Sequence, residues 1–226
     1  MATTINSGYA NSPKLTANIA DHADVYGGRA LVFDGVADYL NISNSSGLIN
    51  YDVLEPNGLA FSAWVNTSVT SSSTFGIVGQ GSSTGNALFL NGGLYISNNK
   101  LQMVLYKNSS YNTLTGSINL SANTWHHVCG VYSGENSDDK LKIYVDGILD
   151  NTSSALGGNG LAGTETSAYA FIGRNINDTN RQYFNGRICD VKIFTSNITE
   201  AQITELYKKP ENTPSAVQDN LVDWYP

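Results

Sequence analysis

Trp125 to Gly147, WHHVCGVYSGENSDDKLKIYVDG, is the stretch that decides the fold. In HHVCGVYS, Val128, Gly130 and Tyr132 fall on one face and His127, Cys129 and Val131 on the other, the period of two that marks a β-strand. The polar, glycine-containing GENSDDK breaks the run, and KLKIYVD then alternates again. Asp146-Gly147 supplies the positive-φ dipeptide of a two-residue hairpin turn. The segment is predicted to be a β-meander.

Working outward, ALVFD and DYLNIS form a first hairpin, and LAFSAWVNT reads as a central strand. TSVTSSSTFG is predicted to be a surface loop. Short strands are expected at GIVGQ, NALFLN, GLYIS and KLQMVLY, and another from Tyr111 to Ile118. Residues 152–168 are glycine-rich, and AYAFIGR resumes strand structure. Turn signals at this spacing predict a β-sandwich. One helix is expected, starting at Thr199. Thr199 and Gln202 have capping-box spacing, while Ile203, Leu206 and Tyr207 share a face and Pro210 ends the segment. ENTPSAVQDN reads as a linker, and LVDWYP is an apolar, aromatic last segment.

These motifs carry a resemblance. W-H-H-V-x-G-V-Y followed by Y-V-D-G is similar to the centre of a laminin-G-like domain of the concanavalin-A-like lectin/glucanase superfamily. LVFDGVADYLNIS resembles the family's first hairpin and FSAWV its early core strand. FIGR resembles the strand before a rim loop, and YFNGRICDVKIF the last long strand, usually followed by a short helix. The resemblance implies an all-β, two-sheet antiparallel jelly roll with one short C-terminal helix. The expected organisation is an N-terminal arm over residues 1–27, a sandwich over 28–209, and a linker with a possible edge strand over 210–226. This fold hosts lectins, enzymes, adhesion modules and virion proteins, so it leaves function open.

Composition narrows the classes. With 12 basic against 19 acidic residues and a net charge of −7, a phosphate-neutralising surface is not expected, and nucleic acid is excluded as a partner. No apolar run approaches the ~18 residues that span a bilayer, and MATTINSGYANSPKL lacks the basic start and apolar core of a secretory signal. No membrane insertion is expected. Cys129 and Cys189 both fall in predicted strands and read as buried free thiols, with a disulfide left open because sequence does not show Cα approach. The eight Asn-x-Ser/Thr sequons read as chance products of an Asn-, Ser- and Thr-rich chain.

Catalytic signatures are missing. The superfamily's glucanases place carboxylates on alternate residues of one strand, and no such Glu-x-Asp-x-x-Glu spacing occurs. Asp138-Asp139 read as solvated turn residues. His126 and His127 point to opposite faces of one strand and show no partner in sequence. Calcium is the cofactor to weigh: the resemblance points to the loop after AFIG, which leaves Asn175 and Asp178 as candidate ligands for one ion, with Asp34 of the Phe-Asp-Gly hairpin as a third. Asp190, at the family's acidic position in the last strand, is expected to be a structural hydrogen-bond acceptor. A glycan site needs an exposed aromatic and planar polar side chains. The candidates are Tyr106 and Tyr111 in one hairpin, and Arg181, Gln182 and Tyr183 in the loop after FIGR.

The expected function is therefore non-enzymatic: a surface module of a virion or extracellular assembly, of the phage head-decoration or tail-fibre kind, with capacity for glycan adhesion. A free carbohydrate-binding module of a secreted protein is the alternative, and a degenerate glycosidase the remote one. The expected partners are other structural proteins, copies of the chain itself, or cell-surface glycans. In relatives a Leu-Val-x-Trp motif opens the domain, whereas here it stands at the C-terminus. Leu221, Val222, Trp224 and Tyr225 are accordingly read either as the start of a second repeat or as a strand added to a sheet edge for assembly.

Overall fold

The run around Trp125 forms strand β8 (Trp125–Tyr132), and the Asp146-Gly147 turn joins β9 (Leu141–Val145) to β10 (Ile148–Thr152). Asp146 and Gly147 take φ of 51° and 77°, as the dipeptide predicts. The Asp146 carboxylate explains why WHH and VDG occur together. Its Oδ1 accepts from the His127 backbone N–H at 2.9 Å, and its Oδ2 lies 2.9 Å from His126 Nδ1. His126 Nε2 accepts from Ser121 N, so Nδ1 carries the proton and donates. One turn residue thus pins the strand two places upstream in the ladder.

The structure is a computed structural model and describes residues 30–42, 57–68, 74–84, 87–107, 110–134, 138–157, 168–175, 182–209 and 213–225. The expected N-terminal arm lies outside the described residues. The other strands are β1 (Leu31–Asp34), β2 (Leu40–Ile42), β3 (Leu59–Thr67), β4 (Thr74–Thr84), β5 (Ala87–Ser97), β6 (Lys100–Lys107), β7 (Ser110–Asn119), β11 (Ala168–Ile172), β12 (Asn185–Phe194) and β13 (Leu221–Tyr225). They form two antiparallel sheets, as the jelly-roll reading requires. One sheet has the order β1-β12-β3-β8-β9-β10 with β13 also on β12, and the other β2-β11-β4-β5-β6-β7. Between them lies the main core, which takes Phe61, Ala63 and Val65 from β3, Val128 and Tyr132 from β8, and Leu94, Met103 and Leu105 from the facing sheet. Asp150 ties the two sheets along one side: its Oδ1 on β10 accepts from Ser117 N at 2.9 Å and Ile118 N at 3.1 Å on β7. Among the described residues, no helix is long and apolar enough to cross a membrane.

Three expectations change. NALFLN and GLYIS are one strand, β5, because Gly92 and Gly93 pair with Leu105 and Val104 in the ladder instead of turning the chain. TFG belongs to β4, not to a loop. The segment read as a linker contains a 3-10 turn over Ser215–Asn220, which sinks Val217 into the second core layer.

That second layer covers the outer face of the seven-stranded sheet. Helix α1 (Glu200–Lys208) opens with the expected Thr199–Gln202 capping box and buries Ile203 and Leu206. These pack with Ala60, Cys129, Val131, Tyr144 and Phe194, the opposite phase of the strands that fill the main core. Trp64, 2% exposed, stacks on Tyr207 of α1 at 5.7 Å. Cys129 and Cys189 are both buried free thiols, held in the protonated form by burial.

Polar groups are buried here too. His127 and Ser62, neither with more than 1% exposure, meet at 2.9 Å between Nε2 and Oγ. Both histidines expected to lack partners therefore have them. Lys192 Nζ reaches Asp190 Oδ1 at 2.5 Å, and the same oxygen accepts from Trp224 Nε1 at 2.7 Å, with the Trp224 ring 4.8 Å from the ammonium. Asp190 stands at a β-bulge with φ 53°, and so turns its carboxylate back along its own strand. Asp190 is the acceptor its position implied. At the far end of the sandwich, Lys107 is buried against Asp139 at 2.6 Å and Tyr132 Oη at 3.1 Å. Asp139 is thus the anchor of a buried cation and not a solvated turn residue.

Leu221–Tyr225 of the last segment form strand β13, paired within its own chain. Leu221 pairs with Phe194, Trp224 with Lys192 and Tyr225 with Val191, while on the same edge Leu31 pairs with Ile188 and Asp34 with Asn185. Both strands are antiparallel to β12, so β13 and β1 run in the same direction along one line, with the bulge between them.

Two predictions follow from the buried charges. Trp224→Ala should cost about 2–4 kcal/mol, because it strips the cover from a buried ion pair. Trp224→Phe should lose about 1.5–3 kcal/mol for the charge-assisted hydrogen bond alone. Urea unfolding measures both, and midpoints equal to the parent's would show that the pair needs no cover. The second concerns acid. Burial, and then the Lys192 charge, push the His127 imidazole down to about 3. The unfolded chain takes up a proton at ~6.5 and the folded one does not, so stability is complete above pH 6.5 and falls as the pH drops through 6.5 towards 3. Urea midpoints between pH 7 and 5 should show this slope, up to about 1.4 kcal/mol per pH unit, and His127→Gln should flatten it.

Candidate functional site

The outer face of the six-stranded sheet can be read from its register. One row across the strands is Asn41, Phe171, Gly79, Gly93, Val104 and Thr113, and the next is Gly76, Tyr95, Gln102 and Thr115. Their alternates, among them Leu40, Ile172, Leu94, Met103 and Leu114, point into the main core. At one corner of this face the chain leaves β11 through Gly173, Arg174 and Asn175 and returns through Gln182 and Tyr183. Arg174 bridges to Tyr183, and Asn175 N donates to Gln182 O at 2.9 Å.

Here the side chains form a layered cluster. The Arg174 guanidinium, 6% exposed, lies 3.7 Å from the Phe171 ring centre and 4.3 Å from that of Tyr39. Both are close cation–π distances. Tyr39 in turn meets Tyr183 at 6.2 Å with a 39° angle between the rings. Tyr39, Asn175, Gln182 and Tyr183 are half-buried. The cluster therefore offers two tilted rings with an amide on either strand of the return, over a positively charged base.

Three sequence candidates, Asn175, Gln182 and Tyr183, converge at this rim. Arg181 and Asp178 lie outside the described residues. Tyr39, Phe171 and Arg174 were not assigned to a glycan site from sequence, although Phe171 alternates out of phase with the core residues Ala170 and Ile172, which is the signal that it faces outward. Tyr106 and Tyr111 pair directly across β6 and β7, with ring centres 4.9 Å apart and Tyr111 half exposed. They stand at the opposite corner of the same face, three to four strands and four residues away from the rim cluster, roughly 20 Å by strand spacing and rise. The two groups of candidates are thus separate.

Asp34 shapes its own turn. Its Oδ1 accepts from Val36, Ala37 and Asp38 N–H groups at 2.7–3.2 Å, and the Ala37 and Val36 bonds lower its pKa. Among the described residues, no three of His, Cys, Asp and Glu come together as a metal site. Ser62 and His127 have the contact of a nucleophile and base, but both are sealed under the second core layer, and His127 Nδ1 has no partner to orient the ring. Of the segment read for assembly, Leu221 packs on the second core layer, Val222 sits at a bulge in the pairing, Trp224 covers the ion pair, and Tyr225 packs against the main core.

Comparison with known proteins agrees with this architecture. No curated protein matches the chain in sequence. Among solved structures, the sialidase CBM40 of Ruminococcus gnavus, bound to α2,3-sialyllactose, superposes with a TM-score of 0.59 at 13% identity, covering 79% of this chain and 97% of that one. The heptameric SAP-like pentraxin of Limulus polyphemus gives 0.51 at 16% identity, covering 78% and 80%. The binding domain of botulinum neurotoxin serotype D gives 0.51 at 18%, covering 80% of this chain and 45% of that one. At these identities the likeness is one of fold. The sequence profile of the laminin G type within the concanavalin A-like lectin/glucanases superfamily matches residues 34–204, from the Phe-Asp-Gly turn to the first turn of α1, and the chain belongs to that family.

Proposed function

We propose that the chain is a non-catalytic glycan-binding module that works outside the cell. The observation that carries this reading is the rim cluster: two half-buried tyrosines, Tyr39 and Tyr183, tilted towards each other over Arg174 and flanked by Asn175 and Gln182. A sugar presents an apolar C–H face and a rim of hydroxyls. Aromatic faces take the first, and amides, which donate and accept side by side, take the second. The R. gnavus CBM40, bound to a sialylated sugar, lends support as a module of the same fold. The missing carboxylate pair supports binding without turnover.

As to setting, the finer reading is display on a cell surface or as part of a virion. A surface low in charge and rich in neutral hydrogen-bonding groups suits such exposure, with charged residues only 14% of the chain. Recovery of the protein with purified particles would test that setting.

The binding itself is tested on a glycan array with and without calcium. The parent should retain at least one oligosaccharide, and Tyr39→Ala and Tyr183→Ala should each weaken that signal about tenfold, the effect of losing roughly 1.4 kcal/mol of stacking. Tyr183→Ala should keep the melting temperature nearer the parent's than Tyr39→Ala, which also uncovers the buried Arg174 guanidinium. Retention of the glycan by both variants would place binding elsewhere on the molecule.

A further inference from the structure

The corner opposite the rim cluster holds an aromatic pair on a braced base. Tyr106 and Tyr111 face each other across β6 and β7, the rings tilted by 59° with centres 4.9 Å apart. Their neighbours in the chain are fixed. Leu105 and Lys107, both 0% exposed, flank Tyr106, and Lys107 Nζ is held by Asp139 Oδ1 at 2.6 Å and Tyr132 Oη at 3.1 Å. Beside Tyr111, Asn112 Nδ2 donates to the carbonyls of Leu105, Lys107 and Ser110 at 3.4, 3.3 and 3.2 Å, which ties the two strands together at this end of the ladder. A cross-strand tyrosine pair stabilises a sheet in any case. This one leaves its surface open: Tyr111 is 50% exposed, Tyr106 is half-buried, and among the described residues neither hydroxyl has a hydrogen-bond partner.

From the pair, a strip runs along the outer face of the same two strands. The next cross-strand pair in phase is Val104 with Thr113, and the one after it Gln102 with Thr115. Val104 is 8% exposed and forms the floor, whereas Thr113 and Thr115 are exposed and Gln102 is half-buried. Gln102 Nε2 donates to Thr115 Oγ1 at 3.0 Å, which orients the amide, and its Oε1 has no partner among the described residues. Tyr106 and Gln102 stand four residues apart, about 13 Å along the strand, which is longer than one sugar ring and accommodates two or three of an extended chain. Strand β7 is the edge of its sheet, so the strip is open along that side. None of the six side chains is charged.

We infer that this strip is a second, separate sugar site that takes a neutral, linear oligosaccharide lengthwise, one ring stacked on the tyrosine pair and a later ring hydrogen-bonded by Gln102 and the Thr113 and Thr115 hydroxyls. The inference rests on the glycan-binding reading for the kind of ligand and uses none of the rim residues. Tyrosines on a braced backbone lose little freedom when a ligand covers them. An acidic sugar would give up hydration of its carboxylate here and meet no cation in return, so the strip selects a neutral chain. The separation of the aromatic end from the amide end sets the length: a disaccharide reaches one end, and a longer chain reaches both.

The test is calorimetric titration of the full chain and of its Tyr111→Ala, Gln102→Ala and Tyr183→Ala variants with cellotetraose, maltotetraose, xylotetraose, chitotetraose and the matching disaccharides, with melting temperatures alongside. The parent should bind at least one tetrasaccharide, and more tightly than its disaccharide. Tyr111→Ala should weaken that binding about tenfold, and Gln102→Ala should bring the tetrasaccharide down to the affinity of the disaccharide, while Tyr183→Ala changes neither. Unchanged affinity in Tyr111→Ala, or a loss as large in Tyr183→Ala, would overturn the strip and leave the rim cluster standing. Weaker binding by Tyr111→Ala that only follows its melting temperature, with Gln102→Ala binding like the parent, would make the tyrosines structural and also overturn it. Failure of the parent to bind any tetrasaccharide would overturn the strip alone where the array still shows a glycan lost with Tyr39→Ala, and both readings where the array is blank.

Discussion

The bulge at Asp190 is the point on which the back of the molecule depends. A residue with positive φ in the last long strand breaks the alternation of β12, so the strand changes partners along its outer edge, from β1 on one side of the bulge to β13 on the other. The same backbone turn aims the carboxylate at Lys192, two residues on, and at the Trp224 indole. A buried ion pair is weak evidence of stability by itself, since desolvation offsets much of the attraction. Its effect here is on placement: the pair accepts one cover, an aromatic N–H donor, at one register of an incoming strand.

The second consequence is two-sided burial. A sandwich sheet commonly keeps one face in water. The central strands of the seven-stranded sheet instead bury both, one against the facing sheet and the other under α1, the 3-10 turn and Trp224. That is why Trp64, Cys129 and Val131, on the phase that would be solvated in a simpler sandwich, are apolar and hidden. The outer face of the six-stranded sheet is therefore where the sandwich carries aromatic and amide groups at its surface, at the two corners set by Tyr183 and Tyr111.

Legibility in the sequence followed the range of the interactions. Elements fixed by local pattern were readable: the Asp146-Gly147 turn, the Thr199–Gln202 cap, and the alternation of β3 and β8. Gly92-Gly93 misled, because a glycine pair signals a turn locally, and only the pairing with β6 shows it to be mid-strand. Asp139 misled for the same reason, since its partner Lys107 lies 32 residues away on another strand. The candidate site sits between these cases. Tyr183 and Gln182 could be named as a loop aromatic beside a planar amide, but Tyr39 and Arg174 come from segments far apart in sequence, and they join the site only through the layout of the edge strands.

The alignment of β13 with β1 separates order in the chain from continuity in space. To the solvent, this edge of the sheet is a single strand with a nick, its upstream half supplied by residues 221–225 and its downstream half by residues 31–34. The backbone is interrupted at the place where the bulge has already interrupted β12, so the break costs few ladder hydrogen bonds. A covalent bridge across the nick would convert the domain into a closed circuit, and the chain could then be opened at another surface turn without moving a strand. In that sense the ends of the fold are a matter of bookkeeping, while the edge itself is whole.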